Sequence, residues 1–362
     1  MPCPGRPTAS TASESWRAVA DSVEARPAAA PGDADTVPLV TIDAIRAAAA
    51  ILRGIAIRTP LVPFGRPEAR RFLKAESLQP IGAFKIRGAY VAVASLHPDE
   101  RARGVITYSS GNHAQGVARA ARLLGVPAVV VMPSDAPALK KARVEADGAE
   151  VVVVGTSSEE RQRVAEEIAA LRRLTIIPPF DDDRIIAGQG TVGLEIAEDL
   201  PDVAAVLVPI GGGGLASGIA VALRALVPGA RLIGVEPELA ADARDSLRQK
   251  RIVRWAPADV SRTIADGART TAIGRRNFAH LSRFLEDVVT VSESEIAAGV
   301  RLAAEESRLV VEPTGALTVA ALAFRSAEAG LDGLAGPIVA VVSGGNVDPE
   351  RYRHLLEAPL PG

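Results

Sequence analysis

The segment VAAVLVPIGGGGLASGIAVALRAL (Val203–Leu226) decides the fold class. Its first eight residues are almost continuously apolar, with none of the alternation of a half-exposed strand. They read as a strand covered on both faces. Four glycines follow, and LASGIAVALRAL then reads as an apolar helix. Successive glycines cost conformational entropy and contribute no packing. What they provide is bare backbone at a helix N-terminus, where a phosphate can approach closely.

Working outward, the same unit recurs. Apolar runs appear at GVITYSS (from Gly104), PAVVVMP (from Pro127), EVVVVG (from Glu150), LTIIPP (from Leu174), RLIGVE (from Arg231) and PIVAVVSGG (from Pro337). Helical segments such as HAQGVARAARLLG and EERQRVAEEIAALRR lie between them. Alternation of this kind gives an α/β fold of mostly parallel sheets, and no repeat at solenoid spacing interrupts it. In such folds ligands bind beyond the carboxyl ends of the strands, so strand ends are where chemistry is expected.

Composition bounds the partners. Lys plus Arg (41) nearly balances Asp plus Glu (43), which gives no reason to expect nucleic acid or an anionic membrane. No apolar run is long enough to span a bilayer. The single cysteine, Cys3, cannot form an internal disulfide, which fits a cytoplasmic protein. Residues 1–38 are rich in Pro, Ala, Ser and Gly and are expected to be a disordered extension.

Several strand ends are unusual. SSGNHAQG (Ser109–Gly116) closes GVITY and opens a helix; it reads as a capped turn or as an anion cradle of backbone amides. VVSGGNVD (Val341–Asp348) ends the last strand. Acids stand at Glu236, Asp242 and Asp266, as caps or as ligands for a cation. Strand, glycine turn, helix, strand and Glu236 also suggest a dinucleotide fingerprint, although GGGGLASG does not satisfy G-x-G-x-x-G. Earlier in the chain, IGAFKIRGAY (Ile81–Tyr90) sets Lys85 between Phe84 and Ile86. That lysine is either an exposed helix-start residue or an amine desolvated against an apolar wall and available as a nucleophile.

The whole set resembles the tryptophan-synthase-β-like, or fold type II, pyridoxal-phosphate enzymes, and most closely the threonine/serine dehydratases and serine racemases. FKIRGA, SSGNHAQG, AGQGT, GGGG, EP…D, ADGA, EPTGA and SGGN stand in the family's order between about Val40 and Asp348. The resemblance implies two open, mostly parallel sheets with helices on both faces. It also implies a large domain (39–103 and 180–362) with an inserted small domain (104–179), and a homodimer or homotetramer.

It further implies a role for each oddity. Lys85 would carry the cofactor as a Schiff base and act as base, with Phe84 packed beside it. Gly211, Gly212, Gly213, Gly214 and Leu215 would hold the pyridoxal 5'-phosphate group. Asn112 would meet the ring hydroxyl and Ser343 the pyridine nitrogen. Ser109, Gly111, Asn112 and His113 would present amides to the substrate carboxylate. Glu236, Asp242 and the Ala240 carbonyl would hold Mg²⁺, Mn²⁺ or Ca²⁺, with Glu312 close by.

Dehydration of L-threonine or L-serine to a 2-oxo acid and ammonia is the activity expected first. Racemisation is the second, because Ser110 matches the acid/base that racemases use opposite the lysine. A 3-hydroxyaspartate substrate is also compatible. Against racemisation, IPPFDDDRIIAGQG places Phe180 and three aspartates in a segment that looks like dehydratases.

Overall fold

The computed structural model describes residues 37–109, 111–136 and 138–361. Ser110 and nearly all of the expected N-terminal extension therefore lie outside the described residues. Among those described, ten strands form two sheets: β1 (Leu61–Pro63), β2 (Arg71–Ala75), β3 (Val105–Tyr108), β4 (Ala128–Pro133), β5 (Glu150–Val154), β6 (Thr175–Ile176), β7 (Ala205–Pro209), β8 (Arg231–Pro237), β9 (Asp287–Val291) and β10 (Ile338–Val342). One sheet has the order β1-β2-β10-β7-β8-β9 and the other β5-β4-β3-β6. Of these strand pairs only β1–β2 is antiparallel. Five of the nearly continuous apolar runs are interior strands (β3, β4, β7, β8 and β10), whereas EVVVVG and LTIIPP form the edge strands β5 and β6; every residue of β7 and β10 is buried. At the edges, β1 and β5 are only partly covered.

AGQGT is a helix-packing motif. A side-chain carbon on Gly188 would lie 2.6 Å from the Gly88 Cα, so the Lys85–Ala94 and Asp183–Asp199 helices cross there backbone to backbone. The next helix, Gly214–Leu226, packs on the same rod at Gly190 and Gly218.

The helix that begins at Lys85 is also pinned by charge. Arg87 donates to both Glu76 oxygens at 2.8 Å and to Glu195 Oε1 at 2.6 Å, while Lys74 donates to Glu195 Oε2 at 2.6 Å. Burial alone would push the Glu76 carboxyl up, but the Arg87 charge and hydrogen bonds hold it below its ordinary value. Removing one partner from such a group leaves an unpaired buried charge, at a cost of about 3–5 kcal/mol. Lys85 therefore starts from a fixed base.

Candidate active site

Two main-chain contacts set the entry to Lys85. Phe84 N donates to the Ser343 carbonyl at 3.1 Å, and Ala83 bridges to Gly344. The FKIRGA loop is thereby stitched to SGGN at the end of β10. Lys85 Nζ donates to the Pro179 carbonyl at 2.7 Å and lies 5.0 Å from the Phe84 ring centroid. Among the described residues no carboxylate pairs with it. Burial disfavours its charged form and pushes the ammonium down to about 8. The apolar-wall reading of this lysine is the one the structure adopts.

Beyond β7, the chain turns through Gly211–Gly214 into the Gly214–Leu226 helix. Gly213, at φ 94, takes a left-handed conformation that favours glycine, and no described side chain caps the helix. Its first amides are left for an anion. Phe180 packs on this turn so closely that a side-chain carbon on Gly212 would fall 2.1 Å from its ring. Pro179 and Phe180, adjacent in sequence, thus touch the lysine and the glycine turn respectively.

The three aspartates after Phe180 have other work. Asp181 accepts from the Arg276 and Arg275 amides at 2.8 and 3.2 Å and caps the Arg275–Phe284 helix. Asp182 caps its own helix, and Asp183 pairs with Arg276 at 2.7 Å. They are structural, and of that segment Pro179 and Phe180 bear on the site.

At the SSGNH turn, Ser109 Oγ accepts from Gly111 N at 3.3 Å. Asn112 donates to Glu312 Oε1 at 2.6 Å and accepts from Asn346 at 2.8 Å. His113 is buried, with Nε2 3.0 Å from the Ile177 carbonyl and Nδ1 without a partner among the described residues. Nε2 therefore carries the proton. Desolvation, and then the charge of Lys85, push the imidazolium down to about 3, so His113 is neutral. Sequence reasoning did not anticipate Asn346, which also donates to the Ile81 carbonyl at 2.8 Å. The N of SGGN was its only visible trace. Lys140 was missed as well; it pairs with Asp266 at 2.7 Å beside this turn.

The acids of EP…D come together. Glu236 accepts from the Ala243 and Arg244 amides at 3.0 and 2.8 Å, capping the Asp242–Gln249 helix. Both Asp242 oxygens are buried and lack a hydrogen-bond partner of good geometry among the described residues. Burial pushes the Asp242 carboxyl up to about 7; burial and the neighbouring Asp242 push Glu236 up as well. Ala240 is buried in the same turn. The two unsatisfied oxygens of Asp242, beside the Glu236 carboxylate, fit a hard divalent cation, although among the described residues no group of three or more His, Cys, Asp or Glu gathers. Glu312 does not belong here. It is bonded to Asn112 and is pushed up to about 7 by burial and by Asp266, a correction to its expected place near the cation.

Comparison with known proteins agrees with this geometry. Residues 52–344 match the family model described as pyridoxal-phosphate dependent enzyme. The L-threo-3-hydroxyaspartate ammonia-lyase of Saccharomyces cerevisiae is 42% identical over 295 residues, covering 81% of this chain and 88% of that one. The serine racemase of Schizosaccharomyces pombe is 39% identical over 327 residues, covering 89% and 99%. Among solved structures, the T.th. threonine deaminase superposes with a TM-score of 0.78 at 43% identity, covering 85% of this chain and 99% of its own. Matched over most of its length to such relatives, and carrying a part-buried lysine and an uncapped glycine turn that meet neighbouring residues of one segment, this chain belongs to the pyridoxal-phosphate dependent enzyme family.

Proposed function

We propose that this chain is a pyridoxal-phosphate dependent ammonia-lyase that removes water from β-hydroxy amino acids, L-threonine and L-serine first, to give a 2-oxo acid and ammonia. One observation carries the reading: Pro179 accepts from Lys85 while Phe180 packs on Gly212. A desolvated amine and a phosphate-sized set of backbone amides therefore meet neighbouring residues of a single segment. That arrangement suits a ligand with a reactive carbonyl at one end and a phosphate at the other.

When bound, pyridoxal phosphate supplies the electrophilic carbonyl and the electron sink. The amides of Gly211–Gly214 and Leu215 would hold its phosphate, with Phe84 beside the ring. Asn112 would reach the ring hydroxyl through the donor and acceptor capacity left after Glu312 and Asn346 are served. Ser343 would face the ring nitrogen. A hydroxyl there, unlike a carboxylate, does not hold that nitrogen protonated, which favours prompt loss of a β-leaving group.

The chain's own residues do the rest. Ser109, Gly111, Asn112 and His113 bind the substrate carboxylate through backbone amides and so orient the α-hydrogen. Lys85, with its ammonium near 8, has a substantial neutral fraction at physiological pH and removes the α-proton as general base. The β-hydroxyl departs as water by taking up a proton equivalent to the one Lys85 removed, and the released enamine adds water to give the 2-oxo acid and ammonia. Glu236, Asp242 and the Ala240 carbonyl would hold a divalent cation that supports the fold of this region. The chemistry and the lone cysteine are in keeping with a cytoplasmic enzyme, and no helix of the described residues is long and apolar enough to cross a membrane.

Likeness to a serine racemase over 99% of that protein supports a second activity. It rests on Ser110. One experiment separates the two: 2-oxo acid release from a panel of L- and D-β-hydroxy amino acids, with chiral analysis of the remaining substrate. Release from L-threonine or L-serine without D-isomer supports the ammonia-lyase. D-serine formed faster than 2-oxo acid would replace it by the racemase, and neither product would dismiss both.

A further inference from the structure

We infer that Asn346, oriented by Arg143, is a positioning residue that turns the Asn112 amide so that an N–H, and not the carbonyl, meets the ring oxygen of the cofactor. This inference rests on the placing of Asn112 at that oxygen. Four elements contribute to one hydrogen-bonded row. Arg143, on the Ala138–Ala146 helix, donates to Asn346 Oδ1. Asn346, beyond β10, donates through Nδ2 to Asn112 Oδ1 at 2.8 Å. Asn112, which opens the Asn112–Leu124 helix, donates through Nδ2 to Glu312 Oε1 at 2.6 Å. Every donor in the row points the same way, from the cation to the carboxylate.

The ends fix the direction. A guanidinium can only donate, so it holds the oxygen of Asn346 towards itself. On the other side, Asn346 Nδ2 spends its second hydrogen on the Ile81 carbonyl at 2.8 Å, which can only accept. Turning the Asn346 amide over would set two oxygens together at Ile81 and two donors together at Arg143. With Asn346 fixed, Asn112 must offer it an oxygen. The Asn112 nitrogen then faces Glu312 and keeps one N–H unspent. Space for this junction comes from Gly344, where a side-chain carbon would collide with Glu312 Oε1. Glu312 alone cannot hold Asn112 this way near neutrality. Burial and Asp266 push its carboxyl up to about 7, and a protonated carboxyl can donate. Asp266 and Lys140, the charged side chains that face it, pair with each other, and the pairing holds Asp266 low and Lys140 high. Asn346 does not titrate, so its hold is independent of pH. An N–H at the ring oxygen favours the anionic form of that oxygen, to which the lysine-bound cofactor owes its visible absorption. Protonation of the oxygen moves the absorption to the near ultraviolet.

The test reads the ratio of visible to near-ultraviolet absorption of the holoenzyme, without substrate, from about pH 6 to pH 8, across the titration of Glu312. In the wild type the ratio should stay level. At about pH 6, Asn346→Leu should lower it about tenfold, the scale of one hydrogen bond to a charged group. By about pH 8 Glu312 is ionised and holds Asn112 by itself, so most of that loss should return. Arg143 is exposed, and its replacement leaves the core intact. Arg143→Met should shift the ratio the same way by about twofold, a result that stands even if Asn346→Leu folds poorly. Arg143→Lys, which also only donates, should keep the ratio near that of wild type. A ratio unmoved in both Asn346→Leu and Arg143→Met would reduce the row to a structural tie and overturn the inference. A rise in the ratio would overturn it too, since Asn112 would then present its oxygen in the wild type. If no hydroxy amino acid is turned over, the ammonia-lyase reading falls, and the spectrum still decides on Asn346.

Discussion

Lys85 gives its ammonium to the carbonyl of Pro179, 94 residues away in sequence and 2.7 Å away in space, and finds no carboxylate counter-ion among the described residues. A neutral carbonyl lightens the burial penalty without cancelling it, which is why the amine sits near 8 and not at its ordinary 10.5. The lysine is thus held at the expense of stability, as an active-site group often is.

A stability measurement can read that cost. In the cofactor-free protein the folded-state value lies below the unfolded one. The unfolded chain therefore binds the extra proton between about pH 8 and 10.5, and wild-type stability rises across that window. Lys85→Met should melt at a higher temperature than wild type at pH 7, and the advantage should shrink between pH 8 and 10.5. The same variant should lose turnover by about 10⁴-fold or more, as base and nucleophile vanish together. It should also take up no label on borohydride treatment with pyridoxal phosphate. A label that persisted on Lys74 or Lys140 would refute the assignment.

His113 offers a second pH reading on the acid side. Its folded value, about 3, lies below the ordinary 6.5, so its contribution is complete above pH 6.5 and is lost as pH falls. At pH 5 the loss should reach about 2 kcal/mol relative to a variant with no titrating group, such as His113→Gln. Nuclear magnetic resonance should show an imidazole that does not titrate between pH 5 and 8. A midpoint near 6.5 would mean the ring is solvated and the site more open than described.

How far the sequence revealed all this depends on range. β7 and β10 were legible because strands buried on both faces must be apolar throughout. Lys85 was legible as a choice between an exposed and a desolvated amine, and the eight ordered motifs together favoured the desolvated one, in line with its lowered pKa. The pairings were not legible. Lys140 meets Asp266 across 126 positions and Asn112 meets Glu312 across 200, and no local pattern of spacing encodes such distances. For the same reason Glu312 was expected near Glu236 and Asp242 and instead serves Asn112. The capping partner of Asp181 was not legible either, because the helix whose amides it accepts begins 94 residues further along the chain.

Phe180 and Gly212 should be energetically coupled. The backbone at Gly212 is not left-handed, so the Phe180 ring is what forbids a side chain there. Gly212→Ala should cost about 1–3 kcal/mol of stability through overpacking and weaken pyridoxal-phosphate binding. Phe180→Ala makes room. The double variant should therefore be more stable than the sum of the single effects predicts, by about 0.5 kcal/mol or more. Additive effects in denaturant titrations would show that the ring moves aside freely and does not shape the turn.

The acid pair gives the last prediction. Asp242 is buried with both oxygens unpartnered among the described residues, next to Glu236, whose own oxygens are spent on the amides of Ala243 and Arg244. Two neighbouring carboxylates in a dry pocket repel and favour protonation of one of them. A divalent cation would reverse the sign of that interaction. In metal-free protein Asp242→Asn should therefore stabilise, against the usual expectation for a buried polar substitution. Adding Mg²⁺, Mn²⁺ or Ca²⁺ should raise the melting temperature of wild type, by the equivalent of about 2.7 kcal/mol at a hundredfold excess over Kd. The variant should not respond. If the melting temperature of wild type is indifferent to all three cations at millimolar concentration while Asp242→Asn still stabilises, the pair is a strained helix cap and holds no metal.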